Sequence, residues 1–371
     1  MKFRCSQQVI SKAINTVSIA VSNRTTLPVL KGILMIVEEG EVTLTASDLD
    51  ISITTKFDAE VEETGSAVVM AKLFGDIIRK LPDESITVEK ESEESVRVST
   101  ISSEFNVISL PVEDFPEIGK REEGDRSLVI DKNIFRKMIR KTSFAASIDE
   151  SKGVLTGIKT EIEEDKMTMV ALDGFRLALA NEEMRSASKD GFIIAAAKMN
   201  EIGRILAEEN SDEDTLQLNL GEKRAVINIG RTEMVLRIME GEFINYRDII
   251  PKESNTQVII GREMFMSSIE RASLLSREGK NNLIKMTVKE NMMTITSRSE
   301  EGDVKEEIGI EKEGNDLEIG FNSKYMIDVL KEIEDEKICL YMNTSVTPCV
   351  VRPTEGTAYE YLILPVRIPA M

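Results

Sequence analysis

The sequence contains no histidine and no tryptophan, and only three of its 371 residues are cysteines. Without histidine there is no imidazole to bind a metal, to activate a serine or cysteine nucleophile, or to transfer protons near neutral pH. Catalysis would have to depend on carboxylates, Lys, Tyr or Cys, which lowers the expectation of an enzyme. Cys5, Cys339 and Cys349 are odd in number and lack CxxC spacing, so neither a disulfide framework nor a zinc site is predicted.

Long apolar runs are also missing. No uninterrupted run approaches the roughly 20 residues that a membrane span needs, and the N-terminus turns polar without a signal-peptide core. We therefore expect a soluble cytoplasmic protein that contacts no membrane. The excess of 66 Asp and Glu over 47 Lys and Arg gives a net charge of −19, which argues against a protein coated in basic charge.

The chain does contain an internal repeat. Short Val-, Ile- and Thr-rich segments at 27–37, 42–46, 51–57, 86–90, 96–101 and 105–110 predict strands. Helical spacing of apolar residues predicts six helices in the windows 6–20, 71–81, 131–145, 196–208, 262–277 and 322–333. Alternate windows recur at intervals of about 125 residues, which predicts three copies of one helix–strands–helix–strands unit. The expected fold is α+β, with domains at 1–125, 126–252 and 253–371.

The positive charge is concentrated in these helical windows. Each window is neutral or net positive, and 131–145 carries Lys132, Arg136, Lys137, Arg140 and Lys141 around a thin apolar stripe. If the helices share one surface, that surface attracts a phosphate backbone without reading sequence. The low aromatic content of 5% provides no stacking platform for single strands, so duplex is favoured. Alternatively, each helix could expose its own solvated basic face, and the helices would then share no basic surface.

No catalytic constellation is evident. The chain has no phosphate loop and no dinucleotide-binding fingerprint after a strand. Asp48, Asp50, Asp173 and the acidic segment 212–214 could bind a divalent cation, although aspartate is common in turns. Two other readings therefore stay open: a carboxylate-based metal-dependent enzyme on a three-domain scaffold, and an acidic scaffold that binds only proteins.

Short motifs distributed along the whole chain point to a family. They are NRTTLPVL at 23–30, LTASDL at 44–49, SLP with DFP at 109–116, DGFRLA at 173–178, GEF with YR and P at 241–251, GFN with Y at 320–325, and Y with LPVR at 361–367. On these residues the chain resembles the bacterial DNA polymerase III beta subunits, the sliding clamps, from its first residue to its last.

The resemblance implies a fold and a function. Each chain would contain three DNA-clamp domains, with two helices packed on antiparallel sheets in each, and two chains would close head to tail into a ring of six domains. The ring would encircle duplex DNA as a non-catalytic processivity factor. Its implied partners are double-stranded DNA, the DNA polymerase III catalytic subunit, a clamp loader, other proteins with a clamp-binding motif, and a second copy of the chain. No cofactor and no metal are implied.

The resemblance also implies site residues. An apolar pocket near the C-terminus would bind a partner peptide through Leu155, Leu172, Gly174, Arg176, Leu177, Ile244, Ile249, Pro348, Leu362, Ile363, Leu364, Pro365, Val366 and Arg367. Arg24 and Lys72 match family positions that contact duplex, and Lys12, Arg79, Lys137, Arg140 and Lys198 are chosen for their place on the helices. The dimer interface would use Phe105 and Val107 on an edge strand, with Leu274 and Leu275 on a helix. From the residues alone, the pocket residues would be interpreted as ordinary core at a domain junction, and the interface leucines could equally be internal core.

The sequence departs from the family pattern at three places. Phe175 stands where the family often has histidine, and Asp248 stands where a basic residue is frequent. The residues Pro369, Ala370 and Met371 extend beyond the usual end. We expect these differences to change which peptide is preferred, and the tail could cover part of the groove.

Overall fold

The structure, a computed structural model, describes residues 1–22, 25–82, 84–119, 125–184, 189–208, 213–276 and 282–368. The described residues form six α-helices, and each overlaps one of the six windows predicted from the sequence. The helices are α1 (Gln7–Ser18), α2 (Ala71–Lys80), α3 (Lys132–Ser143), α4 (Ala196–Glu208), α5 (Arg262–Ser276) and α6 (Ser323–Lys331). Short 3-10 segments lie at Pro28–Lys31, Val112–Asp114, Glu150–Thr156 and Tyr246–Asp248, and the third is interrupted at Gly153.

The strands account for most of the remaining regular structure. In chain order they are β1 (Lys2–Ser6), β2 (Gly32–Glu38), β3 (Glu41–Ser47), β4 (Ile51–Asp58), β5 (Glu60–Glu63), β6 (Gly65–Met70), β7 (Ser85–Ser92), β8 (Ser95–Ser99), β9 (Glu104–Leu110), β10 (Arg126–Asp131), β11 (Gly157–Ile162), β12 (Lys166–Leu172), β13 (Arg176–Glu183), β14 (Asp190–Ala195), β15 (Thr215–Leu220), β16 (Arg224–Ile229), β17 (Thr232–Arg237), β18 (Thr256–Gly261), β19 (Leu283–Lys289), β20 (Met292–Ser299), β21 (Gly302–Gly309), β22 (Glu311–Gly314), β23 (Leu317–Asn322), β24 (Lys337–Met342), β25 (Cys349–Pro353) and β26 (Tyr359–Ile363). The α+β class expected from the sequence is confirmed.

The chain divides into two compact units. The first unit comprises Met1–Asn133 and Arg204–Ile238, and its strands form one antiparallel sheet in the order β10-β15-β16-β17-β4-β3-β2-β6-β9-β8-β7-β1-β5. The second unit comprises Ile134–Gly203 and Met239–Met371. Its described strands form a sheet in the order β14-β11-β12-β13-β26-β25-β24-β18-β22 and a smaller sheet in the order β21-β20-β19-β23.

The same joint between repeats occurs once in each unit. In the first unit, β4 pairs antiparallel with β17, from Thr55 opposite Thr232 to Ile51 opposite Leu236. In the second unit, β13 pairs in the same way with β26. A strand from one repeat thus continues the sheet of the next, and main-chain hydrogen bonds join the repeats.

The helices form where the apolar spacing predicts them. Helix α1 begins at the Ser6 cap, whose hydroxyl accepts a hydrogen bond from the Val9 backbone N–H, and it buries Ile10, Ala13, Ile14 and Val17. A Cβ on Gly75 of α2 would lie 3.2 Å from the Ile14 Cγ2 atom, so an alanine there would force a small shift between the two helices. The glycine therefore allows α1 and α2 to pack closely.

Two sequence-based assignments need correction. The segment 27–37 does not start as a strand: Pro28, with its fixed φ and no N–H, opens a 3-10 turn, and β2 begins only at Gly32. In α2 the spacing of Leu73 four residues before Ile77 predicts that Leu73 faces the core, but Leu73 is 54% exposed and Phe74 is buried instead. No described helix is long and apolar enough to span a bilayer.

Candidate peptide pocket and cationic helices

The second unit contains a buried apolar cluster on one face of its larger sheet. Alternation along the strands places Leu172 of β12, Leu177 of β13 and Leu362 of β26 on this face. The other buried members are Val170, Leu179, Tyr246 and Val350, and Leu155 and Phe243 pack against them. This cluster is the floor of the predicted pocket.

The connector, residues 240–252, crosses this face and is held there by hydrogen bonds to the Glu161 carboxylate. Tyr246 is buried, and its hydroxyl donates a 2.6 Å hydrogen bond to the Glu161 Oε2 atom. Arg247 Nη2 donates to the same oxygen at 2.7 Å, and Lys159 Nζ lies 2.7 Å from Glu161 Oε1. Burial alone would raise the pKa of Glu161, but the hydrogen bonds from Lys159, Tyr246 and Arg247 outweigh it and hold that pKa below its usual range. The connector is therefore fixed beside the pocket.

Large apolar side chains that neighbour cluster residues along the chain reach the surface. Ile244 and Ile249 of the connector are 42% and 39% exposed, and Leu364, directly after β26, is 36% exposed. Isolated exposed apolar residues are common, but several around one buried cluster indicate a binding surface.

Arg176 of β13 stands opposite Ile363 of β26, so its side chain lies on the sheet face opposite the leucine cluster, beside Phe144. Its guanidinium donates hydrogen bonds to Asp173 Oδ2 at 3.1 Å, to Asp328 Oδ2 on α6 at 2.6 Å and to the Phe144 carbonyl at 2.7 Å. The same group lies 4.6 Å from the centroid of the Tyr325 ring. With three acceptors and a stacked ring, Arg176 is held in one orientation.

The Asp-Gly turn before β13 presents the next aromatic residue. Gly174 has a φ of 95°, which residues with a Cβ rarely adopt. Asp173 Oδ1 accepts hydrogen bonds from the backbone N–H groups of Phe175 and Arg176. Phe175 is consequently 54% exposed and stacks on Tyr325 with ring centroids 6.2 Å apart. Lys152 lies 5.7 Å from the Phe175 ring centroid.

Four of the predicted pocket residues, Leu155, Leu172, Leu177 and Leu362, lie in or against this cluster, whereas Arg176 and Ile363 turn their side chains to the opposite face of the sheet. Ile363 is fully buried, because alternation along β26 turns it with Tyr361 to the opposite face, where Tyr361 packs on Phe144. Its side chain therefore does not line this surface. The segment after β26 is fixed by the Leu364 N–H, which donates to the Phe175 carbonyl, and the Val366 N–H, which donates to the Gly320 carbonyl. Pro348, Pro365 and Val366 are half-buried, and Arg367 is exposed.

The sequence analysis gives no pocket role to Phe175 or Tyr325, which stack on each other beside Arg176. Phe175 was noted only as a departure from the family, and Tyr325 only as part of a motif. Val346, in the turn that precedes β25, is 68% exposed. Asp248, the second departure, accepts a 2.6 Å hydrogen bond from the Asn245 side chain within the connector. The tail residues 369–371 lie outside the described residues.

The first unit contains three of the predicted DNA-contacting residues. Lys12 on α1 and Lys72 and Arg79 on α2 are exposed, and Lys72 and Arg79 line a groove between the two helices. Arg79 pairs with Asp76 one turn earlier and donates to the Gly75 carbonyl. Arg24 lies outside the described residues.

The second unit places Lys137 and Arg140 of α3 against carboxylates that follow α6. Lys137 Nζ lies 3.2 Å from Glu334 Oε2, and Arg140 pairs with both Glu332 and Glu334. Hydrogen bonds from Arg140 and Lys137 lower the pKa of Glu334, whereas burial raises the pKa of Glu332. These two cations are exposed but already paired. Lys198 of α4 is half-buried.

The predicted interface residues differ in exposure. On β9, Phe105 is 40% exposed while Val107 is buried. The strand pairs with β8 along its length but with β6 only at Ser109 and Leu110, so its first part has an open edge. On α5, Leu274 is 64% exposed and Leu275 is half-buried. Leu274 is therefore not internal core of this chain.

Within the part of the chain that the structure describes, no group of three or more acidic or cysteine side chains is arranged to hold a metal ion. Asp48, one of the aspartates considered from the sequence, uses its Oδ1 atom to accept the backbone N–H groups of Asp50 and Ile51. That contact is a turn interaction.

Comparison with known proteins was informative along the whole chain. The family models for the DNA polymerase III beta subunit match in order: the N-terminal domain at residues 1–119, the central domain at 129–245 and the C-terminal domain at 247–367. A beta sliding clamp from Halalkalibacterium halodurans is 33% identical over 382 residues, which cover 99% of this chain and 100% of the relative.

Solved structures agree. The crystal structure of the DNA polymerase sliding clamp from Bacillus subtilis matches with a TM-score of 0.95 at 30% identity and covers 100% of both chains. A sliding clamp from Pseudomonas aeruginosa, crystallised bound to griselimycin, matches with a TM-score of 0.93 at 26% identity over 99% of this chain and 100% of the other.

The three repeated domains and these matches define the class of the protein as a sliding clamp, a non-catalytic processivity factor. Within that class, the chain belongs to the DNA polymerase III beta subunit family. The reading as a carboxylate-based metal enzyme is therefore wrong.

Proposed function

We propose that two copies of this chain close head to tail around duplex DNA in the cytoplasm and tether other proteins to it through the pocket of the second unit. The partners are the DNA polymerase III catalytic subunit, a clamp loader that opens the ring, and other proteins with a clamp-binding segment. The main support is the set of exposed apolar side chains at Ile244, Ile249 and Leu364, each close along the chain to residues of the buried leucine cluster, which suits an apolar peptide.

The charge distribution supports duplex as the ligand of the helices. A chain with a net charge of −19 repels phosphate over most of its surface, so a basic face attracts duplex locally. Contacts of this kind are weak, independent of sequence and sensitive to salt, which suits a protein that slides. The pairing of Lys137 and Arg140 with Glu332 and Glu334 implies that α3 must exchange carboxylates for phosphates when it contacts duplex.

The DNA part of the proposal can be tested on Arg24 and Lys72. We expect R24A/K72A to be retained less well on circular duplex and to show a salt slope of binding that is smaller by about 2, because two phosphate contacts are lost. Binding is measured between low and moderate salt, with the exposed Lys289→Ala and Lys305→Ala pair as the control. An unchanged slope would exclude these two residues as phosphate contacts.

The pocket can be tested at Leu364. We expect L364D to lower the affinity for a fluorescent peptide from the clamp-binding segment of the polymerase catalytic subunit by about tenfold, because a charge replaces one partly buried apolar contact. Met292→Asp is the matched control, since Met292 is 42% exposed on β20 of the same unit. Equal affinity of L364D and the wild type would place the peptide elsewhere.

A further inference from the structure

A cleft lies beside the connector on the same sheet face as the pocket floor, and its lining is unusually basic for this chain. Lys166, Arg247, Lys252 and Arg352 contribute cations to it, and Glu360 is its one acidic lining residue. On a protein with 66 acidic and 47 basic residues, such a lining is the reverse of the average surface.

Two of these cations are uncompensated. Among the described residues, neither Lys166 Nζ nor Lys252 Nζ has an ion pair or a hydrogen-bond partner. Lys166 stays unpaired even though Glu183 stands opposite it in the register of β12 and β13, and Lys252 stays unpaired next to Glu253. Both ammonium groups are thus available to a carboxylate supplied from outside.

The two arginines are held in place and shape the walls. Arg352 donates to Glu360 Oε2 at 2.9 Å and lies 4.9 Å from the Tyr341 ring centroid. Arg247 is bound to Glu161 and lies 4.8 Å from the Tyr246 ring centroid. These stacked side chains give the cleft a rigid frame, so little ordering is required when a ligand enters.

The cleft shares two residues with the buried cluster below the proposed peptide pocket. Leu179 and Tyr246 line the cleft and belong to the same buried cluster as Leu172, Leu177 and Leu362 below the pocket. One extended polypeptide can therefore place apolar side chains over the cluster and its neighbouring residues in the cleft.

We propose that this cleft is an extension of the peptide site, in which Lys166 and Lys252 bind aspartate or glutamate side chains that flank the apolar segment of a partner. This proposal rests on the proposed peptide function of the pocket. It assigns a selective role to two lysines: partners with an acidic flank bind more tightly than partners with a neutral flank. Attraction of an acidic segment to a local basic site on an acidic protein also makes the preference dependent on salt.

The test uses peptides with one apolar core, the clamp-binding segment of the polymerase catalytic subunit, extended at either end by a short run of aspartates or of asparagines. For the wild type we expect one aspartate-extended peptide to bind about fivefold more tightly than its asparagine counterpart, a preference that fades as salt rises. In K166E/K252E this preference should disappear, while the asparagine-extended peptide binds as it does to the wild type.

The control is K289E/K305E, which changes the net charge equally at exposed lysines of the same unit and should retain the preference. K166Q/K252Q provides a milder version should charge reversal impair folding. Equal affinity of the wild type for both extensions at both ends would overturn the cleft proposal and leave the pocket intact. Failure of the wild type to bind any of the peptides would overturn the pocket and the cleft together. If K166E/K252E instead weakened duplex retention and left the peptides unaffected, the cleft would be a nucleic-acid surface and the proposal would be wrong.

Discussion

Replacing Leu274 and Leu275 with aspartate should convert a dimer into folded monomers. Leu274 is 64% exposed on α5, so its substitution removes little packing within the chain. In a closed interface each leucine would contribute about 1.5 to 3 kcal/mol of burial, and an aspartate there would have to lose its hydration without a partner. The combined effect is large enough to raise the dimer dissociation constant by about a thousandfold or more.

The measurement is mass in solution by light scattering at micromolar concentration, together with a thermal unfolding scan. M264D is the matched control, because Met264 is 60% exposed on the same helix and lies outside the predicted interface. A mass of two chains for L274D/L275D would show that these leucines do not form the interface. A mass of one chain for M264D as well would show that the whole helix, not this pair, is responsible.

The second large effect is expected for Arg176→Ala. The side chain joins Asp173, Asp328 of α6 and the Phe144 carbonyl, and about 10% of it is exposed. Removing it leaves two poorly solvated carboxylates without their cation, which typically costs about 3 kcal/mol or more. We therefore expect R176A to lower the free energy of unfolding by about 3 kcal/mol and to weaken peptide binding, because the turn at Asp173 loses its contact with Arg176 and the Tyr325 stack is lost with it.

Denaturant unfolding followed by circular dichroism measures this loss. R352A is the comparison: Arg352 also pairs with a carboxylate and stacks on a ring, but its side chain is 29% exposed, so we expect about 1 kcal/mol. R176K should recover only part of the stability, since lysine cannot reach three acceptors in one plane. A loss for R176A no greater than that for R352A would mean that the Arg176 network contributes little.

The helices were predictable because the spacing of their apolar residues is local and can be recognised without knowing which distant residues they contact. Helix α1 shows this most clearly, since Ile10, Ala13, Ile14 and Val17 are spaced for one buried face and are buried. The predicted start of β2 was wrong because apolar composition carries no information on backbone donors. Pro28 has no backbone N–H and a fixed φ, so a 3-10 turn forms there. The repeated domain plan also followed from periodicity, whereas the exact borders at 125 and 252 stay predictions.

The pocket residues could be predicted only from the family resemblance. The run Leu362, Ile363, Leu364 is apolar throughout, so its sequence cannot tell which side chain faces the pocket and which faces the core. Adjacent apolar residues caused the same ambiguity at Leu73 and Phe74.

Distant pairings were beyond any reading of local sequence. Lys137 and Arg140 appear in the sequence as free positive charge on α3, yet the fold brings Glu332 and Glu334 against them from almost two hundred residues away. Nothing in either segment indicates the other. The same is true of the contact between Arg176 and Asp328.

The strand pairs that join neighbouring repeats, β4 with β17 and β13 with β26, limit which fragments of the chain can fold alone. A fragment cut at the end of the first family domain would leave β4 without β17, and a bare β4 is an open strand that invites pairing with other chains. A fragment of the central domain would expose β13 in the same way when β26 is removed. The three domains are therefore repeats in sequence but not interchangeable modules. A chimera of two clamps should exchange both strands of a ladder together, or it should be expected to aggregate.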